Sequence, residues 1–278
     1  MRNVKCPEKL SSFTHKEFSK TLFDKISENK LDKCSQKAIF DAYDNYVEHK
    51  KNLELLSPIE FEQEITKEQW NDIYKNIKDE LLKKWRELLG DENIPSRCPS
   101  CGISAPSDAE HFLARSQYRE FSAFMLNLIP WCSICNRKKG KYLTDSNGVR
   151  KFLNCYWDDI DKYCFWECQV DIIQYTVSFN VVQPKGCPDE LFKIVNNHAS
   201  HLDLSNRFLK LGTDKLNEII IEIKQFKTMP LKTVTSIIDA RIQAITEMHG
   251  INYWERILYI GFLKSLTPST WQYIISMT

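Results

Sequence analysis

The sequence is poor in the residues that keep a chain loose: 278 residues contain only 8 glycines and 10 prolines, which argues against a disordered or low-complexity protein. It also lacks a charge excess of either sign. Lys and Arg number 38 against 37 Asp and Glu, for a formal net charge of +1. No global basic field would draw the whole chain onto nucleic acid, so any such affinity has to come from a local patch. Long apolar runs are missing too. Nothing approaches the roughly 18 uninterrupted apolar residues of a membrane span, and the runs near Ile219–Ile221 and Ile257–Leu263 are short enough to read as core. The opening MRNVKCPEKL has no apolar segment of the signal-peptide kind, so no membrane association is expected and the cytoplasm is the expected location. There is no Walker A pattern either, so any dependence on ATP would have to come from another protein.

A hydrophobic content of 42% is ample for a buried core, in one large or two small domains. Residues 1 to about 90 read as helical. Thr14-His-Lys-Glu17 has the capping-box pattern, followed by Phe18, Leu22, Phe23 and Ile26 on one face. A second helix is expected over Asp32–Leu55, with Ile39, Tyr43, Tyr46 and Val47 inward. A third starts at the capping box Thr66-Lys-Glu-Gln69. It carries Trp70, Ile73, Tyr74, Ile77, Leu81, Trp85, Leu88 and Leu89 at helical spacing and ends at Gly90. That aromatic stripe reads as core packing. Phe165–Val170 and Tyr175–Val182 are rich in aromatic and β-branched residues and predict a short hairpin. The remainder predicts helices over Asp189–His198, Ser205–Phe226, Leu231–His249, Tyr253–Leu263 and Ser269–Met277, punctuated by Pro230, Gly250 and Pro268. The expected class is mainly α (α+β). An N-terminal helical region (1–95) and a C-terminal region of hairpin and helices (146–278) would flank a small module at 96–145.

What the chain does have is ten cysteines. Cys98/Cys101 and Cys132/Cys135 form two CxxC pairs with 30 residues between them. In a reducing compartment such pairs point to metal rather than disulfides. Four thiolates suit a tetrahedral Zn²⁺ and leave no coordination position open, so such a zinc would be structural, one per chain. The other six cysteines are scattered. Cys164 and Cys168, i and i+4 in a strand-like stretch, have poor metal geometry and read as core. His198 and His201 read as a helix-end or interface pair, and Glu247-Met-His249-Gly250 as a plain helix end.

Between the pairs lies Asp108-Ala-Glu110-His111-Phe-Leu-Ala-Arg115, then Asn127-Leu-Ile-Pro-Trp-Cys132. The second knuckle runs on into Asn136-Arg-Lys-Lys-Gly140-Lys141. The series Cys-x-x-Cys, Glu-His, Asn-Leu, Cys-x-x-Cys-Asn-x-x-Lys-Gly resembles the HNH nuclease motif with zinc knuckles, over about 45 of the 278 residues. The resemblance implies a ββα-metal fold. Glu110 and His111 would end the first strand, Asn127 would lie in the loop or second strand opposite, and Asn136 would open the helix after the second knuckle. It implies hydrolysis of phosphodiester bonds, in DNA or, as an alternative, RNA. His111 would be the general base. Glu110 and Asn136 would be ligands of a catalytic Mg²⁺ or Mn²⁺, and Asn127 would fix the loop that orients His111 without touching the metal. Three positions depart from the usual pattern. Glu110 stands where Asp is frequent, so that the metal could choose Asp108 instead; Asn136 replaces a frequent His, and Ala114 a frequent Pro. The longer stretch His111–Phe121, with helical flanks, is similar to nucleases of mobile elements and anti-phage systems, including Septu-type and retron-associated nucleases paired with an ATPase.

From Arg97 to Lys141 there are seven basic and three acidic residues, a local net charge of +4. Arg115, Arg137, Lys138, Lys139 and Lys141 are therefore candidates for phosphate contact. Two rival readings remain: a non-catalytic zinc-finger module that binds nucleic acid, and a zinc-scaffolded interaction protein that does not. The first is separated from a nuclease by whether Glu110, His111 and Asn136 converge, the second by whether the Arg137–Lys141 face is covered by protein.

Overall fold

The computed structural model describes residues 1–4, 6, 32–61, 67–90 and 93–276. The helical pattern that follows Thr14 lies outside those residues, as does Thr66 of the second capping pattern. The protein is mainly helical, with two small antiparallel sheets of two strands each. It divides into two compact units, one comprising Asn3–Pro99 and Ala105–Asp158, the other Met1–Arg2, Ser100–Ser104 and Asp159–Thr278.

In the first of these, helix α1 (Lys33–Glu48) is capped by Asp32, whose carboxylate accepts from the Ser35 amide at 2.7 Å. Ile39, Tyr43 and Tyr46 recur on its inner face and are buried. The helix stops at His49, short of the expected Leu55. The Asn52 amide turns back onto the His49 carbonyl, and a 3₁₀ turn over Leu53–Leu55 then drives Leu53 inward. Helix α2 (Lys67–Leu89) buries Trp70, Ile77, Leu81, Trp85 and Leu89. Gly90 closes it at φ 75°, with its amide on the Arg86 carbonyl.

Strands β1 (Asp108–His111) and β2 (Leu128–Trp131) pair antiparallel, with Glu110 opposite Ile129 and His111 opposite Leu128. Helix α3 (Ser133–Lys139) follows directly. This strand–strand–helix segment is too small to cover itself, and the helices around it supply the cover. Tyr43 stacks on Phe124 with ring centroids 4.2 Å apart, and the Tyr46 hydroxyl donates to the Leu126 carbonyl. Trp85 Nε1 and the Tyr156 hydroxyl both donate to the carbonyl of Leu128. Further along, buried Arg150 pairs with Asp158 at 2.6 Å and with Glu54 at 3.6 Å. Most of 96–145 falls in one compact unit with α1, α2 and the stretch to Asp158.

The second unit is built on the expected hairpin, β3 (Trp166–Asp171) with β4 (Thr176–Val181), in which Trp166 pairs with Val181 and Asp171 with Thr176. Burial alternates along β3, so Trp166, Cys168 and Val170 face the core. Helices α4 (Asp189–His201), α5 (Leu204–Lys224), α6 (Leu231–His249), α7 (Trp254–Ser265) and α8 (Pro268–Ser276) complete it. Helix α7 lies on β3 at Gly261, where a Cβ would collide with the Cys168 carbonyl. His198 and His201 fall in the last turn of α4. His198 is buried with Nε2 at 3.2 Å from the Ser100 hydroxyl, and His201 Nδ1 is 2.9 Å from the Asn197 carbonyl. Among the described residues, no helix is long and apolar enough to cross a membrane.

Candidate functional site

The four paired cysteines come together. The sulfurs of Cys98, Cys101, Cys132 and Cys135 lie within 4.8 Å of one another, and all four residues are buried and free of disulfides. A zinc tetrahedron with Zn–S bonds of about 2.3 Å has edges of about 3.8 Å, so the cluster could hold a zinc ion. Gly102 turns the first knuckle at φ 69°, and the Cys132 amide points at Cys98 Sγ, 3.3 Å away. The second pair brackets the first turn of α3, with Cys132 as its N-cap residue.

Beside the knuckles, β1 ends in Glu110 and His111 and α3 carries Asn136. Two hollows, of about 480 and 410 Å³, are each lined by Glu110, His111, Asn136 and Arg115. The three polar residues expected to form the centre thus share one cleft although 25 residues separate the second from the third. His111 is half-buried, and its Nε2 is 2.9 Å from the carbonyl of Ser122. A carbonyl can only accept, so Nε2 carries the proton and a neutral ring keeps its basic lone pair on Nδ1. Desolvation pushes the imidazole down to about 4, helped by the Arg115 and Lys139 cations and opposed by the Ser122 carbonyl. Tyr74 of α2 meets the His111 ring edge-on at 5.4 Å, and the Arg115 guanidinium lies 4.1 Å over the Tyr74 ring.

Asn127, fully buried at the end of a 3₁₀ turn just before β2, bonds back across the loop. Its Oδ1 accepts from the Leu113 amide at 2.7 Å, and its Nδ2 donates to the carbonyls of Leu113 and Phe121. Its own carbonyl accepts from Phe112. The side chain therefore ties the chain just after His111 to the start of β2. Asn136, in mid-helix rather than at the start of α3, donates Nδ2 to Asp108 Oδ2 at 2.8 Å.

The basic residues separate into groups. Arg115 and Lys141 line the larger hollow, as does Arg119. Arg137 and Lys138 are exposed but line neither hollow. Lys139, expected on a phosphate-facing surface, is instead fully buried. Its Nζ donates to Glu110 Oε1 at 2.8 Å and to the His111 carbonyl at 2.9 Å. Burial pushes the Glu110 carboxyl up and the Lys139 ammonium down, and each opposes the other's shift. A helix of seven residues ending against a sheet turns its last side chain inward, which a run of three cations in the sequence conceals. Helix α2 also contributes residues with no sequence-level expectation of a role at the site: Tyr74, Lys78 and Arg86 line the smaller hollow. The signal for them is the i, i+4 series Trp70, Tyr74, Lys78, Leu82, Arg86, which flanks the core stripe.

The chain is 27% identical to Protein ea31 of Escherichia phage lambda over 214 residues, 70% of this chain and 71% of that one. No family model matches the sequence, and no solved structure matches the fold.

Proposed function

We propose that this chain is a metal-dependent HNH-type endonuclease whose substrate is DNA, with RNA as the alternative. The observation that carries the reading is the shared cleft: Glu110, His111 and Asn136 line the same two hollows together with Arg115. Nδ1 of His111, the ring nitrogen that the Nε2–Ser122 bond leaves unprotonated, takes the proton of the attacking water. Arg115 and Lys141 hold the phosphate being cut. Asn127 keeps the loop behind His111 in one conformation. The donors beside the base fit a hard cation, which would neutralise the scissile phosphate and the leaving oxygen. Mg²⁺ or Mn²⁺ asks the protein for only one or two carboxylates besides water and phosphate. Glu110 keeps Oε2 outside its bond to Lys139, Asn136 keeps Oδ1 outside its bond to Asp108, and Asp108 is the second carboxylate. Zinc in the Cys₄ cluster builds the module and takes no part in the cut, and the thiols suit a reducing compartment such as the cytoplasm.

A phage-related setting is supported by the phage relative, while defence with an ATPase partner rests on the motif resemblance alone. Plasmid cleavage with Mg²⁺ or Mn²⁺ tests the chemistry, run with the chain alone and together with an ATPase encoded beside its gene. Loss of cleavage in His111→Ala is the expected result. Equal cutting by both proteins would overturn the assignment. Tight DNA binding without cleavage under every condition would favour the non-catalytic zinc-finger reading.

A further inference from the structure

Helix α2 lies outside the motif segment, yet it walls the cleft. Trp70 lines the larger hollow, Tyr74, Lys78, Leu82 and Arg86 line the smaller one, and the five recur every fourth residue on one stripe. The acids of this helix are kept off the stripe that faces the hollows, while two of its bases lie on it. The helix carries five acids, Glu68, Asp72, Asp79, Glu80 and Glu87, and none of them lines either hollow, whereas Lys78 and Arg86 do and are exposed. On the opposite wall Glu110 is ion-paired with Lys139, while Asp108 accepts from the neutral Asn136 amide, keeps its charge and belongs to the proposed cation site. The α2 wall itself presents only cations to an occupant.

From this sorting we infer that the Tyr74–Lys78–Arg86 stripe of α2 is the track along which the phosphodiester backbone of the substrate strand runs to His111. The inference rests on the nuclease reading and adds to it a binding surface that the motif segment does not contain. Tyr74 anchors the track at the centre, since its ring touches both His111 and Arg115. From Tyr74 to Arg86 is twelve residues, about 18 Å at 1.5 Å per residue. At about 3.4 Å per base pair along a duplex that length covers about five nucleotides on one side of the cut. The occupant is a polyanion with regularly spaced charge. An apolar peptide would leave Lys78 and Arg86 unpaired, and an acidic peptide has no reason to end at a general base.

The test measures binding in a His111→Ala background, so that cleavage does not intervene. Labelled single-stranded and duplex oligonucleotides of DNA and of RNA are titrated at several salt concentrations. The groove-face variant Lys78→Glu/Arg86→Glu is compared with Lys83→Glu/Lys84→Glu, which makes the same charge change elsewhere on the same helix. The expected result is at least a tenfold loss for the groove-face variant and a salt slope shallower by about 2 on duplex, against a change of about twofold for the control. Whichever oligonucleotide shows the larger difference identifies the substrate strand. If the His111→Ala parent binds and both double variants weaken it equally, the track is wrong while the nuclease reading stands. If the parent binds none of the four probes, the nuclease reading fails and takes the track with it.

Discussion

Lys139 Nζ lies 2.8 Å from Glu110 Oε1 and 2.9 Å from the His111 carbonyl oxygen, with the lysine fully buried. This one ammonium joins the end of α3 to the end of β1, and so sets the position of the two residues that the proposed chemistry needs. Removing one partner of a buried ion pair strands the other and costs about 3–5 kcal/mol. Lys139→Met is therefore expected to lower unfolding stability by about 3 kcal/mol. Lys138→Ala, on the exposed neighbour, is expected to stay within about 0.5 kcal/mol. Urea unfolding of the two variants decides it: equal stabilities would mean that Lys139 belongs with the surface cations after all.

Asn127 gives a second, independent handle on the loop behind the base. Its side chain makes buried hydrogen bonds to three backbone groups, Leu113 N, Leu113 O and Phe121 O, and its Oδ1 also accepts from the Tyr46 hydroxyl. Asn127→Ala leaves these backbone groups without partners, at about 1–3 kcal/mol for each group that water cannot reach. An overall loss of about 3 kcal/mol is expected, with slower cleavage at unchanged nucleic-acid affinity because no substrate contact is removed. A parallel loss of affinity would instead place Asn127 at the substrate.

How much of this was legible in the sequence depends on whether the signal was local. The knuckles and the hairpin show in short-range spacing, the position of His111 at the end of β1 only through the motif resemblance, and the structure has all three. Helix ends were less legible: α1 stops at His49 because a tertiary turn at Leu53 competes with a pattern that could have continued. Lys139 and Lys138 are indistinguishable as neighbours in a basic run, and only the packing of α3 against β1 buries one of them. Tyr74 misleads in the other direction. It belongs to an aromatic stripe that reads as core, but it sits half-buried against His111 at the cleft, because the stripe is wider than the core it covers.

The Cys₄ cluster predicts a metal requirement separate from that of the cleft. Wild-type protein should carry about one zinc per chain, and Cys132→Ser should carry well under that. Since the cysteines tie the first knuckle to the start of α3, chelation should also lower the melting temperature before any Mg²⁺ is added or removed. Zinc content by a colorimetric chelator and thermal melts with and without it provide both readings. Unchanged zinc content in Cys132→Ser would remove the cluster as the binding site.

Glu120 ought to make the protein less stable as the pH rises. It is buried, with Oε1 accepting from the Ile59 amide at 3.2 Å, and desolvation raises its carboxyl to about 7 from an ordinary 4.5. The folded state therefore holds a proton that the unfolded chain gives up between those values. The stability this group contributes is complete below about pH 4.5 and is lost as the pH climbs through about 7. Glu120→Gln keeps the acceptor for Ile59 and removes the titration. Its advantage over wild type should grow by about 2 kcal/mol between about pH 5.5 and about pH 8. Denaturation of the two proteins across that range measures the difference directly. An advantage that stays flat would mean that Glu120 ionises in the fold as it does in water. One that shrinks would mean that the folded state holds the charged form through a partner stronger than the Ile59 amide.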